Sequence, residues 1–89
     1  MDHSKKEELN ELYEAICRVE SVEDAENFLD DLLSVQELDS LSARVHAAKM
    51  LINGMTYAEV TKSTNISSAT LARISKCIKN GKGYNKILK

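Results

Sequence analysis

The chain has 89 residues, 12 basic and 14 acidic, which excludes several domains of ordinary size and leaves a core that buries only about 60% of the unfolded surface. Its two cysteines, Cys17 and Cys77, lie far apart with no CxxC and no histidine at ligand spacing; they read as free thiols in a reducing compartment rather than a disulfide scaffold or a metal site. No run approaches membrane-spanning length and the opening "MDHSKKEELNEL" lacks the apolar segment of a secretory leader, so a cytoplasmic protein with no membrane partner is expected.

Little of the sequence alternates with period two, and an all-α fold is expected. In "KKEELNELYEAICRV" the residues Leu9, Leu12, Tyr13 and Ile16 form one apolar face opposite a row of carboxylates. Three capping boxes follow, Ser21 with Asp24, Ser34 with Glu37 and Thr56 with Glu59. In each, the hydroxyl accepts from an orphan N–H while the carboxylate reaches back to the cap's own N–H. They predict helices over about 22–33, 35–53 and 57–63. The second carries the stripe Leu38, Leu41, Val45, Ala48 and Ile52, and Gly54 is placed for a left-handed C′ position. Asn65 suits a turn that needs positive φ. Ser67 then caps a helix over about 68–79 with Leu71, Ile74 and Ile78 on its apolar side, and "YNKILK" is left as a short tail.

Charge is divided along the chain. Residues 1–40 hold 13 acidic and 3 basic side chains, whereas residues 41–89 hold Glu59 as their single acid and 9 basic ones. Such a division points either to an anionic partner met by the basic half alone or to mutual neutralisation within the fold. Within the basic half, a short helix from Tyr57, a turn around Asn65 and a second helix from Ser68 make a helix-turn-helix. The second helix opens with Ser67, Ser68, Ala69 and Thr70. These small residues let its N-terminus approach base edges, with hydroxyls and N–H groups available to phosphate. One turn later Arg73 and Lys76 reach guanine edges or phosphates. The bland reading of "SSAT" is a plain N-cap with small packing residues.

The stretch "FLDDLLSVQELDSLSARVHAAKMLINGMTYAEVTKSTNISSATLARISKCIK", residues 28–79, resembles the Trp repressor superfamily, in particular its YerC/YecD-type branch. The marks are "LLSVQEL", the "ARV" ending in Arg44 and Val45, "LINGMTYAEV" and "SSATLARIS", with the spacing between them. The resemblance implies an all-α, intertwined homodimer with a helix-turn-helix in each subunit. Within a single domain over 1–89, residues 1–54 would supply dimerisation helices, 55–80 the helix-turn-helix and 81–89 a tail. It implies a sequence-specific transcriptional regulator, a repressor, bound to double-stranded operator DNA. Carried over position by position, DNA contacts fall on Ala58, Thr61, Ser68, Ala69, Ala72 and Arg73, to which the residue-level reading adds Ser67, Thr70 and Lys76. Ala58 and Thr61 stand where tryptophan-responsive members carry basic residues, and Thr64 occupies a usually apolar position.

The same resemblance places a ligand pocket at Arg44, Arg73, Ile74 and Cys77. Two arginines would sandwich an indole, but Ile74 replaces a glycine and Cys77 a serine, so L-tryptophan is not expected as effector. Either the protein fills the pocket itself, or Ile74 turns into the core and leaves a reshaped space. No residue pattern calls for a cofactor or metal. His3 lies near the terminus and His46 beside Arg44 without a nearby acid, so catalysis is not expected. The alternative to a DNA-binding regulator is a helix-turn-helix-derived protein-interaction module whose acidic half docks a basic partner.

Overall fold

The computed structural model describes residues 3–89, with side chains from Lys5 onward; the side chain of His3 lies outside the described residues. Six helices and no strand are found among them: α1 (His3–Cys17), α2 (Val22–Leu32), α3 (Val35–Ile52), α4 (Tyr57–Ser63), α5 (Ser68–Asn80) and α6 (Gly83–Leu88). The chain divides into two compact units, Met1–Ser34 and Val35–Lys89.

In the first unit, α2 begins at Ser21, whose Oγ accepts from the Asp24 N–H at 3.0 Å. The Asp24 carboxylate does reach back, but to the N–H of Glu20 at 3.2 Å, one residue before the cap. No residue of α2 is buried. Leu12, Tyr13 and Ile16 of α1 and Val22 and Leu32 of α2 are all exposed, so these helices carry apolar faces without a core of their own.

The second unit is organised around α3. Its buried cluster comprises Ala47, Ala48 and Met50 from α3, Val60 from α4, and Leu71 and Ile74 from α5. Leu51, Met55, Ile66, Ile78, Tyr84 and Leu88 pack against it. The expected α3 stripe is only partly the core face. Ala48 is buried, but Leu41 and Val45 are exposed, and Ala47 and Met50 take the inner positions. The helix is apolar around much of its circumference, and α4, α5 and α6 occupy only one side of it.

Its C-terminus is a Schellman motif. The Met55 N–H donates to the Met50 carbonyl at 3.1 Å and the Gly54 N–H to the Leu51 carbonyl at 3.0 Å, with Gly54 at φ +90°. Two expectations fail in detail. No residue other than Gly54 has positive φ among the described residues, so the Asn65 turn is built from extended backbone at Thr64 (φ −134°) and Ser67 (φ −65°). Residues 83–88 are also helical rather than an irregular tail.

Helix α6 has no side-chain N-cap and is too short to persist alone; tertiary contacts hold it. Tyr84 and Leu88 pack on the core, and Asn85 Nδ2 donates to the Ile78 carbonyl of α5 at 2.7 Å. Asn85 Oδ1 is buried without a hydrogen-bond partner. At the α5–α6 corner, a β-carbon on Gly81 would lie 2.5 Å from the Cys77 carbonyl oxygen, which excludes any larger residue without backbone movement.

Substituting Gly54→Ala is expected to destabilise the protein by about 1 kcal/mol or more, because alanine is strained at positive φ. Gly54→Asn should cost less, since asparagine tolerates that region. Thermal or urea unfolding of the two variants checks the order.

Candidate nucleic-acid interface

Local chemistry sets the start and end of α4. The Glu59 N–H donates to Thr56 Oγ1 at 3.2 Å, the Thr56 N–H donates to Glu59 Oε1 at 2.9 Å, and the Thr56 hydroxyl donates to the same oxygen at 3.0 Å. This is a complete capping box. Hydrogen bonding by the Thr56 backbone, then by its side chain, holds the Glu59 carboxyl below its ordinary value of 4.5. At the other end, Thr64 Oγ1 donates to the Val60 carbonyl at 2.9 Å. A hydroxyl at a usually apolar, half-buried position is thereby satisfied within its own turn. Ile66 anchors the connection to the core, and Ser67 caps α5 by accepting from the Thr70 N–H at 3.2 Å.

Packing then fixes which side of α5 faces outward. Leu71 and Ile74 are buried, and at about 100° per residue Ala69, Ala72, Arg73 and Lys76 fall on the opposite side. All four are exposed, as are Ser67 and Ser68, with Thr70 half-buried. On α4, Ala58 and Thr61 are exposed and Val60 is fully buried. Every residue named from the sequence as a DNA contact therefore lies on α4, on α5 or on the cap between them. Arg73 and Lys76 form no ion pair among the described residues, and α5 contains no acid.

The hydroxyls do not all face outward. Ser67 Oγ donates to Thr70 Oγ1 at 3.1 Å, and Thr61 Oγ1 donates to the Ala58 carbonyl at 3.0 Å. Ser67 and Thr70 thus spend their polar groups on each other and on the helix start. The plain-cap reading of those two residues and the close-approach reading of their neighbours hold together.

Beside α5 lies a cavity of about 270 Å3 lined by Arg44, Thr70, Arg73, Ile74, Cys77 and Tyr84. It unites the four residues the sequence grouped as a degenerate pocket. Ile74 is only 2% exposed and belongs to the core, so it walls this space rather than occupying it. Tyr84 was not identifiable from the sequence, because it reaches the site only through the packing of α6. A more open cleft of about 500 Å3 adjoins it. Asp39, Ser40 and Ala43 of α3 line that cleft with Asn65, Ile66 and Ser67, and Arg44 and Thr70 are common to both spaces.

Six helices, with a capped helix-turn-helix presenting an acid-free second helix, define a helix-turn-helix regulator. Residues 7–89 match the family model described as Trp repressor protein, and the chain belongs to that family. It is 33% identical over 81 residues to the uncharacterised protein YerC of Bacillus subtilis (strain 168), covering 91% of this chain and 78% of that protein. Among solved structures it is similar to a candidate Trp repressor from Staphylococcus aureus. That match has a TM-score of 0.83 and 37% identity over 99% of this chain and 91% of the other. It is also similar to a TrpR-like protein from Eubacterium eligens, with a TM-score of 0.80 and 30% identity, over 91% and 84% of the two chains. The family is one of regulatory proteins and not of enzymes.

Arg73→Ala should leave the fold intact, since the side chain is exposed and unpaired, and should weaken binding to a selected DNA site about 5- to 150-fold, as loss of a base contact does. Thermal melting beside a binding titration separates the two effects; an earlier melt would instead mark Arg73 as a structural residue.

Proposed function

We propose that the protein is a homodimeric transcriptional repressor that binds double-stranded operator DNA in the cytoplasm, with one helix-turn-helix per half-site. The observation that carries this reading is the outer face of α5, where small residues at the N-terminal turn precede Arg73 and Lys76 with no acid on the helix. Small residues admit the helix end to a major groove, and the two cations then lie one to two turns away, where the helix meets bases and phosphates.

The apolar faces support dimerisation. Leu12, Tyr13 and Ile16 of α1, with Leu41 and Val45 of α3, are exposed. A groove of about 450 Å3 lined by Val45, Cys77, Tyr84, Ile87 and Leu88 adds to them. A chain this small gains a sufficient core by covering such surfaces with a second copy. Residues 1–34 carry 11 acids and 3 bases, and residues 35–89 carry 3 acids and 9 bases, so exchange of the first unit between copies also pairs opposite charge.

L-Tryptophan is not the effector in this reading. The cavity between Arg44 and Arg73 measures about 270 Å3, below the usual range of small-molecule sites. Part of its wall is Ile74 and Tyr84, and Cys77 offers only a weak hydrogen-bonding group. A second reading, a protein-interaction module without DNA binding, is favoured by one feature. The chain is net acidic at −2, and Ala58 and Thr61 contribute no charge to the exposed face of α4.

Two experiments test the proposal. Sedimentation should show a dimer at micromolar concentration, with a melting temperature that rises with protein concentration. On immobilised duplex DNA the dimer should be retained at low salt and elute steeply as salt rises, because neutralised phosphates release counterions. A module of the second kind would flow through. In titration calorimetry, L-tryptophan at millimolar concentration should give no saturable heat and no severalfold gain in DNA affinity.

A further inference from the structure

The outer surface of the helix-turn-helix is poor in free polar groups. Thr56 bonds to Glu59, Thr61 to the Ala58 carbonyl, Ser63 to the Glu59 carbonyl at 3.1 Å and Thr64 to the Val60 carbonyl. Ser67 and Thr70 bond to each other. Six hydroxyls that could have contacted bases are therefore turned onto the protein's own backbone or caps. The exposed side chains left at the N-terminal end of α5 are Ser68, Ala69 and Ala72, and the first long polar side chain is Arg73. Ala69 and Ala72 lie three residues apart, on one side of the helix, away from Leu71 and Ile74.

A base pair distinguishes itself in the major groove by hydrogen-bonding groups and, for thymine alone, by a C5 methyl group. A helix end that offers two alanine methyls and a single free hydroxyl is matched to the second signal. We infer that α5 reads thymine methyl groups through Ala69 and Ala72, and that Arg73 supplies the one strong polar base contact of each half-site. This rests on the DNA-binding reading above and specifies its readout. The operator then contains thymines whose methyl groups, rather than their hydrogen-bonding edges, are recognised. The structural ground is the pairing of inward hydroxyls with outward methyls, which no short polar reader interrupts except Ser68.

Deoxyuridine tests this directly, because it keeps the pairing and O4 of thymine and lacks only the methyl. A duplex selected from a random pool by the full-length protein is resynthesised with each thymine replaced in turn. At least one thymine per half-site should lose about fourfold in affinity, the effect of one buried methyl-sized group. Ala69→Ser or Ala72→Ser should abolish that methyl dependence at its own position while leaving the melting temperature unchanged. Uniform binding of every deoxyuridine duplex at parental affinity would overturn the inference and leave the DNA-binding reading standing. Methyl dependence that persists in both serine variants would overturn it too, by tracing the effect to DNA shape. If no duplex is selected at all, the DNA-binding reading fails and the inference with it.

Discussion

The contact on which the regulator depends is the approach of α5 to α3 across Ala47 and Ala48, both fully buried. Side chains this small let the two helices come close, and Leu71 and Ile74 of α5 fill the space beside them with Val60 of α4. Because close-packed cores tolerate little change in volume, this contact sets the rotation of α5 about its own axis. That rotation decides that Ala69, Ala72 and Arg73 face outward, and it places Arg73 with Arg44 at one cavity. A leucine at either alanine would displace the helix that presents the surface, without altering any residue on it.

Local signals explain why so many helix starts were legible from the residues. Thr56 with Glu59, and Ser67 with the Thr70 N–H, act over three residues, so sequence alone contains both partners. Gly54 likewise marks its own conformation. The face of α3 was harder to read because the helix is apolar on two sides. Leu41 and Val45 are as hydrophobic as Met50, and only the arrival of α4, α5 and α6 distinguishes them. Helix α6 was missed for a related reason: its stabilising groups, Tyr84, Leu88 and the Asn85 bond to Ile78, are tertiary, and six residues without a cap carry no helical signal of their own.

The candidate interface shows the same division. Which residues lie on it followed from spacing and from resemblance to the family. What they offer did not, because a serine or threonine hydroxyl chooses between a neighbouring carbonyl and an outside partner through one rotamer. The residues that tempted a polar reading, Ser67 and Thr70, are the ones that cap the helix. The closeness of Arg44 to Arg73, 29 positions apart, likewise depends on the α3–α5 contact rather than on any local pattern.

The bond from Asn85 to the Ile78 carbonyl gives α5 and α6 a shared fate in local opening. The last carbonyls of a helix are ordinarily its loosest groups, free to fray into water. Here one of them is held by a side chain from the next helix, which in turn has no cap and depends on that attachment. Amide exchange at the end of α5 and along α6 therefore proceeds through a single opening event, with one protection factor for both. The far end of the DNA-facing helix and the final helix of the chain behave as one cooperative segment.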